Sequence, residues 1–481
     1  MKATLFIKTH RILGLCFSVL FLMWFLSGFV MMFHTYPQVK DKQKLEHYQF
    51  ADTSVLSIFQ MVESLPIPKD SITGISFYKR AGTNILKISD ASNDYFFNAE
   101  NGERLNGFSK EQLQRIAEGW NEGNVVLKDS LSAIDVWLIG VYPFRDYPVY
   151  HYVFAGKDKA ELYLSSRTGE ALQYTTRTSR FWAWVGAIPH WIYIKQFRAH
   201  GRQPWTNIVM WISGIGTLMV LSGLIVGIRS FFIARRMKRR GCPYTKSLFR
   251  WHHIFGLFFG LFVLTWIFSG FMSMTKVPQW LSKVHVQRDV AKEINGEYLQ
   301  LDSFKLDYKY ILFDHPAKRI TWMSMDGHPM YKIESDNDTC LIDASSLTIR
   351  KYNIDEKFCK NMVRHIRQDQ AAVGIKLMNT YDNYYLNFKQ PLPLPVYKIK
   401  VDDSDGSCYY INPKDGSFRY YNHNTRCRVW LYRVLHSFNC TLFIHHPFFK
   451  TVMMLILLTG GTIVSLTGVF LTIRYIRRKL R

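Results

Sequence analysis

The amino-acid sequence predicts a membrane protein with a bundle of four apolar α-helices, built from two repeats of the same topology, and two α+β domains outside the membrane. Three observations support this fold class. Four runs are apolar enough to span a bilayer, and the second half of the chain repeats the first. The mean hydropathy is −0.08 although 48% of the residues are hydrophobic, so apolar segments must alternate with large polar ones.

The first and third apolar runs are near copies of each other. They extend over Thr9–Phe33 (THRILGLCFSVLFLMWFLSGFVMMF) and Trp251–Thr275 (WHHIFGLFFGLFVLTWIFSGFMSMT). Identical pairs separated by 242 positions include His10 and His252, Gly14 and Gly256, Leu15 and Leu257, Trp24 and Trp266, Ser27 and Ser269, Gly28 and Gly270, and Phe29 and Phe271. An apolar span needs no particular residues, so identity at a fixed spacing indicates equivalent roles.

The second and fourth runs, over 206–228 and 448–473, complete the four predicted spans, because about 20 apolar residues cross a hydrocarbon core. Much of the net charge of +24 follows these two spans, and the positive-inside rule places such ends in the cytoplasm. The basic residues are Arg235, Arg236, Lys238, Arg239 and Arg240, and Arg474, Arg477, Arg478, Lys479 and Arg481. Both termini are therefore predicted to be cytoplasmic, and the charge indicates a lipid bilayer as partner rather than nucleic acid.

Domain boundaries follow from the spans. The predicted segments are 1–34 with the N-terminus and first span, 35–203 as the first external domain, 204–230 as the second span, 231–250 as a basic cytoplasmic loop, 251–275 as the third span, 276–446 as the second external domain, 447–473 as the fourth span and 474–481 as a basic cytoplasmic tail. Aromatic-rich segments over 181–194 and 428–438 are predicted to be helices at the membrane interface, where Trp and Tyr are enriched.

The external domains are repeated together with the spans. Residues 74–105 alternate between polar and apolar side chains, which is typical of strands, and a polar helix follows them. Pro148 matches Pro395 and Gly169 matches Gly416, both at an offset of 247 positions. Each half begins inside, builds an external domain and returns, so we expect a pseudo-two-fold axis along the membrane normal to relate the two halves.

Two equivalent histidines lie at the predicted cytoplasmic ends of the first and third spans. On each helix the glycine four residues after His10 or His252, namely Gly14 or Gly256, lies on the same face one turn along. A porphyrin plane held by an axial imidazole needs such a flat patch beside its ligand. The alternative is an interfacial histidine with a small residue that serves helix packing. The duplication of the pattern favours a haem site.

A second matched pair precedes spans two and four near their outer ends. Aligning Trp184 with Trp430 also aligns His190 with His436, both at an offset of 246 positions. These imidazoles would meet across the pseudo-two-fold axis and hold a second haem. The histidines that compete with the four proposed ligands are His253 for the inner pair, and His200, His445 and His446 for the outer pair.

Two haem sites have a physical rationale in the thickness of the bilayer. An electron cannot tunnel usefully across roughly 30 Å of hydrocarbon in one step, so a relay is needed in each leaflet. Two imidazoles fill both axial positions of the iron, which favours electron transfer over oxygen binding.

The sequence has no phosphate-cradling glycine loop between a strand and a helix, so we expect no nicotinamide or flavin domain. Its cysteines lack the spacing of a zinc site, and we expect at most an incidental disulfide in the second external segment.

The order of short motifs along the whole chain resembles that of the PepSY-associated transmembrane family. The likeness rests on THRILGL, LSG, SSRTGEAL and IPHW in the first half, and on WHHIFGL, FSG, NPKDGSF and VLHSF in the second. The resemblance implies two PepSY-like external domains and two b-type haems. The haem ligands that it implies are His10, His252, His190 and His436. His253 replaces the family's arginine, which leaves the choice between His252 and His253 open, and Ile188-Pro189 replaces the usual leucine before His190.

The resemblance further implies an oxidoreductase of the bacterial inner membrane that reduces Fe(III)–siderophore on the periplasmic side. We expect a quinol or a cytoplasmic reductase as the electron donor. One alternative is a non-enzymatic PepSY sensor or peptidase-inhibiting membrane protein, which would be colourless. Another is a transporter of an iron complex, favoured by the repeat alone. No predicted span contains a central carboxylate or lysine, and such charges usually mark ion-coupled pathways.

Overall fold

The computed structural model describes residues 2–63, 67–141, 146–198, 201–239, 241–336, 338–367, 373–388 and 390–481. The competing ligand His200 and the basic residue Arg240 lie outside these ranges. The seven cysteines lie within them, and all are free thiols.

The helices have equivalent partners in the two halves. Those of the first half are α1 (Lys2–Phe33), α2 (Asp41–Glu46), α3 (Ile58–Glu63), α4 (Lys110–Glu118), α5 (Arg177–Val185), α6 (Ala187–Trp191), α7 (Lys195–Arg198) and α8 (Arg202–Arg236). Those of the second half are α9 (Ser247–Met274), α10 (Val290–Asn295), α11 (Tyr308–Asp314), α12 (Glu356–Ile366), α13 (His423–Arg428), α14 (Leu435–Ser437), α15 (Thr441–Ile444) and α16 (Pro447–Lys479). A π-helical stretch over Val429–Val434 joins α13 to α14.

Four of these helices, α1, α8, α9 and α16, are long and apolar enough to cross a membrane, which confirms the four predicted spans. The basic residues that end α8 and α16 stabilise helix C-termini, because cations interact favourably with the negative end of the helix dipole. In the bundle α1 packs against α8 and α16, and α9 packs against the same two helices. Phe25 and Trp266 meet in the centre with ring centroids 5.7 Å apart.

Glycines on the second and fourth spans allow the aromatic side chains to pack closely. At Gly216 a Cβ atom would lie 3.0 Å from the ring of Phe21. At Gly460 and Gly461 it would overlap the rings of Phe259 and Phe25. Small residues at helix interfaces let helices approach closely in a membrane, where the hydrophobic effect does not drive association.

Sixteen strands form three antiparallel sheets in the described residues. The strands of the first half are β1 (Gly74–Arg80), β2 (Thr83–Ser89), β3 (Asp94–Asn98), β4 (Arg104–Leu105), β5 (Val125–Leu131), β6 (Val149–Phe154), β7 (Glu161–Ser165) and β8 (Ala171–Thr175). Those of the second half are β9 (Arg319–Met325), β10 (His328–Glu334), β11 (Thr339–Asp343), β12 (Lys351–Tyr352), β13 (Val373–Met378), β14 (Val396–Val401), β15 (Cys408–Ile411) and β16 (Phe418–Tyr421). Strands β5–β8 and β13–β16 form one four-stranded sheet each.

The third sheet joins the two halves of the chain. Its eight strands run in the order β12-β11-β10-β9-β1-β2-β3-β4, and β1 pairs with β9 in antiparallel orientation. Ser76 of β1 lies opposite Thr321 of β9, and these residues occupy equivalent positions of the repeat, 245 residues apart. The pseudo-two-fold axis therefore passes between them. The sequence predicts two separate external domains, whereas this sheet contains strands from both halves. The domain boundaries at 35–203 and 276–446 stay predictions. Pairing β1 with β9 satisfies backbone groups that two isolated sheets would leave exposed at their edges.

The aromatic segment before the second span is broken into two helices, whereas the one before the fourth span is continuously helical and contains the π-helical stretch. Gly186 separates α5 from α6, and a Cβ atom there would lie 2.6 Å from the side chain of Val30. Both segments end two residues after the histidine, at Ile192 (φ 53°) and Phe438 (φ 52°). A left-handed residue terminates a helix, so each histidine lies in the last turn before the chain redirects towards the next span.

Candidate functional site

The structure brings the two inner histidines together. His10 of α1 and His252 of α9 have ring centroids 6.2 Å apart, with their planes inclined by 33°. A metal ion bound by both rings through bonds of about 2 Å would hold the ring centres roughly 6 Å apart. The separation therefore fits two imidazoles that share one metal ion.

The two outer histidines meet in the same way. His190 of α6 and His436 of α14 have ring centroids 6.1 Å apart, with their planes inclined by 69°. The members of each pair come from different halves of the chain. The repeat thus generates two facing imidazole pairs, one at each end of the helical bundle.

Serine hydroxyls from the first and third spans orient the outer imidazoles. Nδ1 of His190 lies 3.1 Å from Ser27 Oγ, and Nδ1 of His436 lies 3.0 Å from Ser269 Oγ. Each hydroxyl donates its own proton to a backbone carbonyl, that of Trp24 at 3.1 Å or that of Trp266 at 2.8 Å. The imidazole Nδ1–H must then donate to the serine oxygen, which places the lone pair on Nε2. Ligating histidines typically donate their second ring N–H in this manner.

The inner imidazoles are oriented by the second and fourth spans. Nδ1 of His10 lies 3.0 Å from the carbonyl oxygen of Met219, which can only accept a hydrogen bond. Nδ1 of His252 lies 2.9 Å from Thr467 Oγ1, whose proton goes to the carbonyl of Ile463 at 2.8 Å. Both inner rings therefore carry the proton on Nδ1, and Nε2 has the ligand electron pair.

Glycines of the same two spans pack against the inner rings. A Cβ atom at Gly223 would lie 2.5 Å from the His10 ring, and one at Gly468 would lie 3.7 Å from the His252 ring. The sequence interpretation missed these residues, although a signal was present. Leu-Ser-Gly over 221–223 and Leu-Thr-Gly over 466–468 recur at an offset of 245 positions, which a direct comparison of the second and fourth spans would have identified.

Gly14 and Gly256, which the sequence predicts to lie beside a flat cofactor, have open space next to them. A Cβ atom added at Gly14, Gly256 or Gly270 would have no neighbour within 4 Å, whereas one at Gly28 would lie 3.0 Å from Leu458. Gly28 also lies close to the outer pair, because its Cβ would be 4.0 Å from Cε1 of His190. Helix surface without side chains therefore lies one turn from each histidine of the inner pair, at Gly14 and Gly256.

The remaining candidate histidines have other environments. His253 is buried, and its Nε2 donates a hydrogen bond to the Gly241 carbonyl at 3.1 Å. Its ring also contacts Tyr244 edge to face. This arrangement favours His252 over His253 as the partner of His10. His445 and His446 are exposed at the beginning of α16. His200 lies outside the described residues.

The two pairs lie far apart along the bundle. His10 and Ser27, which contacts the outer pair, are 17 residues apart on α1, and His252 and Ser269 have the same spacing on α9. At 1.5 Å per residue this spacing corresponds to about 25 Å. The pairs therefore lie near opposite ends of the spans, with Phe25 and Trp266 packed between them.

Among the residues that the structure describes, no group of three or more His, Cys, Asp and Glu side chains could hold a metal ion. No model of a known protein family matches the chain, and no curated protein matches it. The resemblance to the PepSY-associated family thus stays a prediction, and the geometry of the two histidine pairs carries the functional argument.

Proposed function

We propose that the protein carries electrons across a bacterial inner membrane through two b-type haems and reduces Fe(III)–siderophore on the periplasmic side. The observation that supports this function is the presence of two facing imidazole pairs with ring separations of 6.2 and 6.1 Å at opposite ends of the spans. A single pair of this kind would be compatible with many kinds of haem protein. Two pairs divide the width of the membrane into shorter steps, which only a transmembrane electron path requires.

The protein's own residues supply ligation, orientation and spacing. Nε2 of His10 and His252 would hold the inner haem, and Nε2 of His190 and His436 the outer one. A haem with two imidazole ligands supplies reversible one-electron chemistry and has no open axial position for oxygen. The serine, threonine and carbonyl acceptors hold the proton of each imidazole on Nδ1 and leave the lone pair of Nε2 available for a ligand bond.

The direction of the reaction follows from the two sides of the membrane. The basic ends of α8 and α16 are predicted to be cytoplasmic, so the pair near them, His10 with His252, would receive electrons from a quinol or a cytoplasmic reductase. The sheets follow the opposite ends of the spans, where the outer pair lies. One electron converts Fe(III) to Fe(II), which hard oxygen ligands bind far less tightly. The iron is then released from the siderophore.

The test is a reduced-minus-oxidised absorption spectrum of the purified protein, with haem content per chain. We expect two haems with spectra of bis-histidine ligation. His10→Ala or His252→Ala should remove the inner haem alone, and His190→Ala or His436→Ala the outer haem alone. His253→Ala and His445→Ala are matched controls that should retain both.

Two outcomes would contradict the proposal. A colourless wild-type protein that stays colourless after haem supplementation would favour a sensor or inhibitory membrane module. Retention of both haems in all four alanine variants would show that other residues are the ligands. Ferric-complex reduction by vesicles loaded with a reductant then measures the transmembrane activity directly.

A further inference from the structure

A cavity of about 590 Å³ opens on the sheet β5–β8 beside α5. Trp137 and Tyr163 form buried parts of its wall. Phe181 and Trp184 project from α5 at its mouth and are 56% and 55% exposed. Cavities of a few hundred Å³ with aromatic walls are typical of small-molecule sites.

The acidic groups at the base of this cavity are already engaged. Glu161 accepts hydrogen bonds from His151 Nε2 at 3.0 Å and lies 3.4 Å from Nη2 of Arg180. Although burial opposes ionisation, these two partners hold the pKa of Glu161 below its usual value. Asp135 accepts hydrogen bonds from the Val136 N–H at 2.5 Å and the Tyr163 hydroxyl at 3.0 Å. Both carboxylates at the base of the cavity are therefore hydrogen-bonded by the protein itself, and Arg180 offsets the charge of one of them.

The rim of the cavity has an excess of positive charge. Lys128 and Arg177 are exposed there, and within the described part of the chain neither makes an ion pair. Asp129 is the one acidic residue on the rim, and its carboxylate accepts a hydrogen bond from the Ser130 N–H at 2.7 Å. Over the whole lining, Lys128, Arg177 and Arg180 equal Asp129, Asp135 and Glu161 in number, so the excess of positive charge is confined to the exposed rim, where it favours an anionic group.

Packed aromatic rings connect the cavity to the outer histidine pair. Trp184 contacts Trp137 at 6.4 Å between centroids, Trp137 contacts Tyr36 at 6.1 Å, and Tyr36 contacts Trp191 at 6.4 Å. Trp191 follows His190 directly in the chain. The cavity thus lies at the end of a continuous packed path that begins beside His190.

We propose that this cavity binds the external electron acceptor, and that the acceptor is a ferric complex whose oxygen ligands belong to anionic aromatic rings, as in a tris-catecholate. The inference rests on the proposed function. The indoles of Trp137 and Trp184 would stack against flat rings, while Lys128 and Arg177 offset their negative charge. The redox change is one electron gained by Fe(III), supplied by the cytoplasmic donor. The ligand oxygens take protons from water when Fe(II) leaves.

The second half of the chain provides a natural comparison. Lys398 occupies the position of His151 and makes an ion pair with Asp382, the equivalent of Asp135. Trp430 occupies the position of Trp184, and its Nε1 donates a hydrogen bond to the Tyr384 hydroxyl at 3.3 Å. Trp430 is therefore a matched control for Trp184, with the same residue type in the equivalent interfacial segment.

The binding test uses gallium(III) tris-catecholate, a redox-inert analogue, and measures its dissociation constant on the purified full chain by calorimetry. We expect Trp184→Ala and Arg177→Glu each to weaken binding by about tenfold or more, the size of effect typical of central contacts. Trp430→Ala should stay within about twofold of wild type. The proposal would be overturned if both test variants bind the gallium complex as tightly as wild type. It would also be overturned if the only effect of Trp184→Ala is the loss of a co-purified phospholipid from the cavity.

A kinetic test separates the cavity from the electron path. Dithionite-reduced protein is mixed with ferric tris-catecholate or with hexaammineruthenium(III), a small oxidant that needs no binding site. Trp184→Ala and Arg177→Glu should slow reoxidation by the ferric complex only. A wild-type protein without a haem spectrum would refute the proposed function. A normal spectrum with unaltered reoxidation by the ferric complex would refute the cavity assignment alone.

Discussion

Ser27 Oγ lies 3.1 Å from Nδ1 of His190, and the equivalent Ser269 Oγ lies 3.0 Å from Nδ1 of His436. Each serine belongs to one long span, while the histidine that it orients belongs to the short helix before the next span of the same half. The outer site is thus assembled inside each half and completed across the pseudo-two-fold axis. This relationship makes the serines the most direct test of the outer pair.

Ser27→Ala and Ser269→Ala should alter the outer haem and leave the inner haem unchanged. Loss of the acceptor weakens the donation of electron density from imidazole to iron, so the reduction potential of the outer haem should rise. Loss of such a hydrogen bond typically lowers metal affinity by about 10–100-fold. Spectroelectrochemical titration and haem content measure both effects. Ser273→Ala is the control, because the Ser273 hydroxyl, one turn further along α9, donates to the Gly270 carbonyl. Equal shifts of the outer reduction potential in Ser269→Ala and Ser273→Ala would contradict the role of Ser269 in orienting His436.

Gly223→Ala should disturb the inner site far more than Gly468→Ala. The added methyl group at Gly223 would lie 2.5 Å from the His10 ring, which must move, whereas at Gly468 it would reach ordinary van der Waals contact at 3.7 Å from His252. We expect Gly223→Ala to reduce inner haem content by at least about half, in keeping with the low tolerance of packed interiors for added volume. Haem-resolved spectra of the two variants provide the measurement. Similar spectra for both would argue against close packing of the second span on His10.

The sheet that joins the two halves predicts a specific cross-link. Ser76 and Thr321 lie directly opposite each other on β1 and β9, where Cβ atoms are about 4.5–5.5 Å apart. Cysteines at both positions should form a disulfide under mild oxidation, detectable by mass spectrometry of proteolytic fragments. A pair displaced by two residues, Tyr78→Cys with Thr321→Cys, is the control. Efficient cross-linking of the displaced pair in place of the opposite pair would contradict the register.

The contact between Asp41 and Arg319 should make the stability of the external region dependent on pH. Arg319 donates to the two oxygens of Asp41 at 3.1 and 2.5 Å, and these hydrogen bonds lower the pKa of Asp41. A carboxylate with a lowered pKa stabilises the fold above its unfolded pKa, and this contribution is lost as the pH falls through the folded value. Asp41 is 68% exposed, so its contribution should be below about 1 kcal/mol.

Thermal unfolding of Asp41→Asn against wild type checks this expectation. The variant should unfold at a lower temperature at pH 7, and the difference should shrink below about pH 4, near the reference pKa of an aspartate. Asp70→Asn, at an exposed position, is the control and should show no such trend. A difference that stays constant with pH would contradict an ionic contribution from Asp41.

The repeat alone was sufficient to match four histidines in two pairs, while His253, His200, His445 and His446 stayed open as alternatives. His10 and His252 share a 242-residue offset with other identical residues of their spans, and an aligned tryptophan matches His190 with His436. The structure then placed each pair at the separation that one metal would require. Their assignment as haem ligands stays a prediction.

The residues that orient these histidines were harder to infer. Ser27 and Ser269 had been noticed as identical residues, yet nothing in their spacing connects them to a histidine more than 160 positions away. Gly186 gave no sign that it breaks the aromatic helix, because the close contact with Val30 involves a different span.

The sequence by itself determined the elements of this protein: four apolar spans, strands with alternating side chains and two copies of each, because these patterns depend on neighbouring residues. Only the tertiary structure decided that β1 and β9 join the halves in one sheet, and that the second and fourth spans orient the inner histidines. The physical reason is that such contacts connect residues hundreds of positions apart. They depend on how helices and sheets pack together, and no local period of the chain records that packing.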